Sequence, residues 1–325
     1  MKKFLLLILV FLSFTVSFGA EKMKVAIIYS VGGLGDEGFN DWAKAGLEKA
    51  KKELGIVYNG YAPMDPSTET EDKLRDYAES KEYALIIVTG FSEKDSLVNA
   101  AKDFPEQKFA IIDEVVEDLP NVSSITFNDE EMSFLAGITA GLTTKSNVVG
   151  FIGGAKAPLI EKYEKGYEQG AKYINPKIKV LVSYIGGSNA FNDPKTAEKK
   201  TDALISKKAD VVYHASGASG KGVFEAAKKN GKYAIGVASN QDSMMEGTVL
   251  TSAVANVDVG VFLIMKELVN GNLEGKVYRY GIKEGGVGLT DFKYTKDVIG
   301  ENNIKKINDV INLVKSGEIK VIVSE

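Results

Sequence analysis

Residues 24–46 have the sequence KVAIIYSVGGLGDEGFNDWAKAG, and this stretch sets the pattern for the whole chain. The apolar run KVAIIYS is followed by a glycine-rich loop and then by a segment of helical periodicity. Trp42, Leu47 and Leu54 recur along one face of that segment, with lysines and glutamates opposite. A buried strand followed by an amphipathic helix is the repeating unit of a parallel α/β sheet.

Apolar runs of strand length recur in two sets along the chain. Their first residues are Val25, Ile56, Leu85 and Phe109 in the first set, and Val148, Lys179, Val211 and Tyr233 in the second. Corresponding runs are about 123 to 126 residues apart, and LIIVTG and VVYHASG both end in a small hydroxyl residue and a glycine. The sequence therefore predicts an α/β protein of two similar lobes, each built on a parallel, doubly wound sheet.

The two lobes are expected to exchange chain segments across a hinge. The segment SSITFND, residues 123–129, links the two sets, and LTSAVANVDVGVF leads away from the second set after Val249. We expect residues 23–126 plus about 252–276 in the first lobe and residues 127–251 plus about 277–290 in the second. Residues 291–325 are left without a lobe. Two or three crossings of the chain would form the hinge.

Composition argues against several classes of function. The 325 residues have a formal net charge of −4 with acids and bases interspersed, which gives no basic surface for nucleic acid. The chain has no cysteine and one histidine, so a multi-histidine metal centre, a cysteine nucleophile or a Ser-His-Asp triad is not expected. His214 lies in an apolar strand, which favours a buried, hydrogen-bonded side chain. We expect neither catalysis nor a cofactor; a nucleoside hydrolase or an oxidoreductase is the alternative class.

The first residues, MKKFLLLILVFLSFTVSFGA, have the order of a secretory signal peptide. Two lysines precede a short apolar run, and small residues follow it, which predicts a signal peptide over residues 1–19. An uncleaved N-terminal anchor is the alternative. Because no cysteine is available for lipid attachment, the mature chain is expected without a membrane anchor, in the periplasm or outside the cell.

In an open parallel sheet, ligands bind beyond the carboxyl ends of the strands. The segments in these positions are rich in glycine, hydroxyl groups and carboxylates, and their cations are Lys156 and Lys221. This composition disfavours a phosphorylated ligand. The loop quoted above also has acids at Asp36 and Glu37, where a phosphate would need backbone N–H groups free of negative charge.

Carboxylates, amides and aromatic rings at this edge suit an uncharged polar ring system. Asp36 could instead cap the following helix, and Phe191 could pack beneath its loop. The candidates by position are Asp36, Asn40, Asp113, Phe191, Asn240 and Asp242.

Several motifs together resemble one family of proteins. They are GGLGDEGFNDWAKAG, FAIID, VVGFIGGAKAPLIEKYEKGYEQGAKYINP, AFNDPKTAE, HASGASGKGVFEAAKKNG, YAIGVASNQDS, VLTSAVANVDVGV and GIKEGGVGLTDF, between about Lys24 and Tyr294. This set resembles the basic membrane protein family of substrate-binding proteins, which includes purine nucleoside receptors of ABC transporters. The resemblance implies a type I periplasmic-binding-protein fold, a nucleoside-like small molecule in the cleft, and an ABC transporter permease as partner.

The resemblance also implies roles for matching residues. Asp36 and Asn40 would contact the base, and Phe191 would stack on it. Asp113 would reach the ligand from the first lobe, and Gly217 would allow close approach of the backbone. Tyr29 is a candidate second ring.

Three positions depart from the family pattern. The motif G-V-D-S-D-Q is GVASNQ here, which puts Ala238 and Asn240 at its acids, and the lysine of T-S-x-V-K-x-V-D is Ala255. The resemblance associates those groups with ribose, and each charged hydrogen bond is worth about 1.5 to 3 kcal/mol when buried. A purine nucleoside or related heteroaromatic metabolite is the expected ligand. Riboflavin, a sugar-type ligand, and a role as ligand-sensing partner of a membrane signalling protein are the alternatives.

Overall fold

A computed structural model describes residues 22–30, 33–35, 39–187 and 189–321. The first part of the chain alternates strands and helices as its periodicity predicts. Its elements are β1 (Lys24–Ile28), α1 (Phe39–Leu54), β2 (Val57–Tyr61), α2 (Pro66–Ser80), β3 (Leu85–Thr89), α3 (Lys94–Asp103), β4 (Phe109–Ile112) and β5 (Val122–Phe127). A 3-10 turn at Phe91–Glu93 leads into α3.

The second part repeats this alternation. Its elements are α4 (Asp129–Thr143), β6 (Val148–Gly153), α5 (Pro158–Ile174), β7 (Lys179–Tyr184), α6 (Pro194–Ser206), β8 (Val211–Ala215), α7 (Gly220–Lys229), β9 (Tyr233–Ala238) and β10 (Val249–Ala255). Single 3-10 turns at Gly217–Ser219 and Asp242–Met245 follow β8 and β9. The chain continues through α8 (Val257–Val269), β11 (Val277–Tyr280), β12 (Val287–Leu289), α9 (Lys296–Ile299) and α10 (Glu301–Ser316).

The strands form two six-stranded sheets of matching order. The first is β11-β5-β4-β3-β1-β2 and the second is β12-β10-β9-β8-β6-β7. Every pairing is parallel except that of β12, which runs antiparallel to β10. The predicted α/β architecture of two similar lobes is confirmed. Within the described ranges, no helix is long and apolar enough to cross a bilayer.

The chain passes between the lobes three times. It leaves the first sheet after β5 to enter α4, which packs on α5, and leaves the second sheet after β10 to enter α8, which packs on α1. The third passage joins β11 to β12. Two expected boundaries are therefore corrected: residues 252–255 remain in the second sheet, and residues 277–280 pair with β5 in the first. The C-terminal α10 packs on α4 of the second lobe.

Hydrogen bonds fasten these crossings to one another. The backbone N–H of Asn128 donates to the carbonyl of Tyr280 at 3.0 Å, and that of Asn256 donates to Gly286 at 2.7 Å. Glu131 accepts from the Asn128 amide at 3.0 Å and from the N–H of Ile282 at 2.7 Å. Glu131 therefore ties the start of α4 to the chain that passes from β11 to β12.

Glycines bring α4 and α5 into backbone contact. A Cβ atom on Gly170 of α5 would lie 2.0 Å from the carbonyl oxygen of Phe134 on α4. A Cβ atom on Gly137 of α4 would lie 2.1 Å from the carbonyl oxygen of Tyr167. Because side chains larger than hydrogen do not fit here, the two helices are held at a fixed distance. This contact sets the positions of Asp129 and Tyr163, one on each helix.

Candidate functional site

A cavity of about 140 Å³ lies between the lobes at the carboxyl ends of their strands. Its lining residues are Phe39, Trp42, Asp113 and Phe127 from the first lobe, Asp129, Tyr163, Ala238 and Ser239 from the second, and Ala255 and Val257 at a crossing. A second cavity of about 210 Å³ adjoins it and shares Asp113, Phe127 and Asp129. Ligands of open α/β sheets bind beyond the carboxyl ends of the strands, and this cavity lies there.

Aromatic rings form much of the first lobe's share of the wall. Phe39 and Trp42 lie in the first turn of α1, and Phe127 ends β5. Helical periodicity predicts Trp42 on the buried face, and its ring is indeed partly buried against the core, but it also borders the cavity. These rings offer apolar faces on which a flat ligand can stack.

Asp129 and Tyr163 form a hydrogen-bonded pair on the second lobe's side. The Tyr163 hydroxyl donates to Oδ1 of Asp129 at 2.8 Å. Burial raises the pKa of Asp129 to about 7, and the negative charge of Asp113 adds to the rise, whereas the bond from Tyr163 opposes it. Sequence reasoning missed both residues, because Asp129 stands at the start of an acidic run and Tyr163 within an ordinary amphipathic helix.

Asp113 extends into the cleft from the end of β4. Its backbone has φ of 68°, a left-handed conformation that is uncommon for a residue with a side chain. The carboxylate reaches solvent, but protein from both lobes surrounds it, and desolvation followed by repulsion from Glu114 raises its pKa to about 6. The structure thus places Asp113 at the cavity wall, where a contact with ligand stays a prediction.

The other first-lobe candidates are placed differently. Asp36 lies outside the described residues. Asn40 is 1% exposed, and its Oδ1 accepts hydrogen bonds from the Thr89 hydroxyl at 2.7 Å and the Ser30 N–H at 3.3 Å. Asn40 therefore joins the end of β1 to β3 from behind the cavity wall. Tyr29 is also 1% exposed and packs against Gly60, so its assignment as a ring in the cleft is corrected to a core position.

Two candidate residues in the loop after β9 form hydrogen bonds within the second lobe. Asp242 is 3% exposed and accepts a hydrogen bond from the Ser252 hydroxyl at 2.7 Å, and burial raises its pKa. Oδ1 of Asn240 accepts from the N–H of Asp242 at 3.1 Å. Asp242 therefore ties the loop to β10, and its assignment as a ligand contact is corrected to a structural role. Asn240 itself is exposed.

Phe191 and Gly217 lie together on the second lobe. The Phe191 ring covers Gly154 and remains 45% exposed, outside the residues that line the cavity. Gly217 has φ of 56°, and its Cα faces the Phe191 carbonyl, where a Cβ would lie 3.1 Å away. An exposed ring on the lobe surface is available for stacking when the lobes approach, so the stacking role stays a prediction.

His214 is buried and hydrogen-bonded, as expected. Its Nδ1 lies 3.2 Å from the Ser216 hydroxyl, and its Nε2 lies 3.1 Å from Oε1 of Gln241. Burial lowers its pKa to about 4, and the bond to Gln241 opposes this shift. The ring also packs on Gly220, where a Cβ would collide with it.

Two of the three departures from the family pattern line the cavity. Ala238, at φ of 66°, and Ala255 both border it. Their methyl groups stand where the resemblance places an acid and a lysine. The described part of this wall therefore has the carboxylates of Asp113 and Asp129 but no lysine or arginine.

Comparison with known proteins gives a consistent result. The family model described as "ABC transporter substrate-binding protein PnrA-like" matches residues 22–325. The CD4+ T-cell-stimulating antigen of Listeria monocytogenes is 32% identical over 93% of this chain and 88% of its own. The "ABC transporter nucleoside-binding protein BmpA" of Lactococcus lactis subsp. cremoris is 34% identical over 82% of this chain and 81% of its own.

A solved structure has the same fold. The solute-binding protein of an ABC transporter system from Aeropyrum pernix K1 superimposes with a TM-score of 0.72 at 26% identity, covering 93% of this chain and 94% of that one. Agreement over nearly the whole length means that both lobes and their crossings are shared.

Proposed function

Because the chain belongs to the PnrA-like family of ABC transporter substrate-binding proteins, we propose that it binds a purine nucleoside or a related heteroaromatic metabolite between its lobes. The loaded protein would deliver this ligand to a membrane permease. It would act outside the cytoplasm, after removal of residues 1–19, and without chemical turnover of the ligand.

The observation that carries this proposal is the composition of the cavity between the lobes. Phe39, Trp42 and Phe127 come from the first lobe, and Asp129 and Tyr163 come from the second. A ligand in the cavity would contact both lobes at once, so its binding energy would favour lobe closure about the hinge. Flat aromatic walls with carboxylates at the edge fit a nitrogen heterocycle, which stacks by its faces and donates hydrogen bonds from its rim.

The nucleoside part of the proposal is supported by the relative named nucleoside-binding. A second candidate is riboflavin or a sugar-type ligand, which Ala238 and Ala255 favour because they remove the charged groups expected to hold ribose. A flavin keeps the flat ring system but has a different tail. A receptor that reports its ligand to a membrane signalling protein would use the same cleft.

A thermal-shift panel of nucleosides, nucleobases, flavins and pentoses tests the proposal. A ligand at a hundredfold excess over its Kd should add about 2.7 kcal/mol to the free energy of unfolding. We expect a rise in Tm with at least one nucleoside or base. Trp42 is the sole tryptophan of the chain and borders the cavity, so quenching of its fluorescence reports occupancy independently.

If flavins alone raise the Tm, the second candidate replaces the first. If only pentoses do so, the aromatic walls are not the binding surface and the heteroaromatic proposal fails. Chromatography of the incubated nucleoside checks that it is recovered unchanged.

A further inference from the structure

The cleft contains two carboxylates that come from opposite lobes. Asp113 follows β4 of the first lobe, and Asp129 begins α4 of the second. Both border the cavity of about 140 Å³ and the adjoining cavity of about 210 Å³. A ligand that spans the cleft therefore meets one acid from each side.

Charged groups of both signs lie on the elements that surround this pair. Glu114 and Glu130 add negative charge beside it, although Glu114 is paired with Lys94 at 2.9 Å. Lys162 of α5 and Arg279 of β11 border the adjoining cavity and provide positive charge there. Among the described residues that line the inner cavity, no lysine or arginine balances the two acids.

Aromatic faces lie beside the acids in the same cavity. Phe39, Trp42 and Phe127 line it together with Asp113 and Asp129. An aromatic ring attracts a cation over its face, most strongly when the ring is tryptophan and the site excludes water. Carboxylates attract the same cation or accept hydrogen bonds from an amino group. The aromatic rings and the carboxylates thus both favour a ligand that is positively charged or carries an amino group.

We propose that Asp113 and Asp129 make the cleft selective for a heteroaromatic ligand that is positively charged or presents an amino group, with Asp129 as a specificity-determining residue. This inference rests on the proposed function and names the ligand class within it. In the empty cleft the two carboxylates repel each other across the lobes. A cation or amino edge between them reverses that interaction and draws the lobes together.

Proton release should accompany binding of such a ligand. The raised pKa values of Asp113 and Asp129 leave both acids partly protonated between about pH 6 and pH 7. A positive ligand stabilises the charged carboxylates and lowers both pKa values, so protons leave on binding. Affinity for a positive ligand should therefore rise as pH increases from 5 to 7.

Titrations followed by Trp42 fluorescence test this with three nucleosides. Inosine keeps an N–H donor at N1 and presents an oxo group where adenosine presents an amino group, and 1-methyladenosine is mainly positively charged near pH 7. We expect 1-methyladenosine, which brings positive charge to the two acids, to bind at least about tenfold more tightly than inosine, as one charge-assisted hydrogen bond would provide. Calorimetry in two buffers of different ionisation enthalpy should show proton release.

The variant Asp129→Asn keeps an oxygen that can accept from Tyr163 but has no charge. We expect it to reduce the preference to under about threefold and to reduce proton release. Asp309→Asn, an exposed acid on α10, is the matched control and should behave like the wild type. Asp113→Asn provides a second test should Asp129→Asn misfold.

The outcomes separate the two proposals. Nucleosides that bind with no preference over inosine, or a preference unchanged in both cleft variants, would overturn the charge-selection proposal and leave the proposed function intact. Failure of every nucleoside, base and flavin to bind would overturn the proposed function and this inference with it.

Discussion

Replacing Asp129 by asparagine is expected to stabilise the unliganded protein at pH 8 and to stabilise it less at pH 5. The pKa of Asp129 rises from its ordinary 3.8 to about 7 in the folded protein, chiefly through burial. At about 1.4 kcal/mol per pH unit, the ionised side chain destabilises the fold by at most about 4 kcal/mol. That figure already includes the bond from Tyr163, and asparagine resembles the neutral acid, so the variant should gain up to about 4 kcal/mol at pH 8 and about 2 kcal/mol at pH 5.

The direction of this pH dependence follows from proton binding at Asp129. Between about pH 4 and pH 7 the folded protein holds a proton at Asp129 that the unfolded chain has lost, so rising pH destabilises the wild type. The variant has no such proton to lose. Urea unfolding followed by circular dichroism at pH 5 and pH 8 measures the difference, with Asp309→Asn as the exposed control. An equal effect at both pH values, or a loss of stability at pH 8, would refute the reasoning.

Two further perturbations test the fold. Gly170→Ala should lower the free energy of unfolding by about 2 kcal/mol, because overpacking against the Phe134 carbonyl outweighs the gain of about 1 kcal/mol in helix propensity. Gly141→Ala, whose Cβ would lie 3.0 Å from the Ile174 side chain and 3.2 Å from the Ala171 carbonyl, should cost clearly less in the same thermal melt, and equal effects would contradict the argument. His214→Gln should have a lower free energy of unfolding than the wild type at pH 6.5, and this difference should shrink by up to about 3 kcal/mol at pH 4. The reason is that between these pH values the wild-type histidine gains a proton in the unfolded chain but not in the folded protein. A difference that stays constant with pH would contradict the buried, neutral state of His214.

Periodicity predicted the strands that have continuous apolar runs. All eight predicted strands are present, from β1 at Lys24 to β9 at Tyr233. The strands β5 and β10 were interpreted as links because serine and threonine interrupt VSSITF and VLTSAVA. Their hydroxyl groups have partners that only the fold supplies: Ser124 bonds to the N–H of Val116, and Ser252 bonds to Asp242. The short β11 and β12 depend on their neighbours in the sheets rather than on any pattern of their own.

The site was predicted as a location more than as a set of residues. The rule of strand ends placed Asp113 at the cavity, since a residue directly after a strand has few alternatives. It also nominated Asp242, which follows β9 by four residues but turns inward. Tyr29, which the family resemblance suggested, turns inward as well. Trp42 and Tyr163 were missed because a helix face that borders a cleft has the same apolar spacing as one that borders the core.

The position of Asp129 explains how charge in the cleft can act on the hinge. Backbone contact between α4 and α5 at Gly170 fixes Asp129 against Tyr163, and the bond from Asn128 to the Tyr280 carbonyl fixes the start of α4 at the crossing. The carboxylate therefore cannot relieve its raised pKa by moving away. A proton would neutralise the charge of Asp129 alone, whereas a positively charged ligand in the cavity would also meet Asp113 on the other lobe. Under the proposed charge selection, binding and lobe closure would be one electrostatic event, strongest where both acids are ionised.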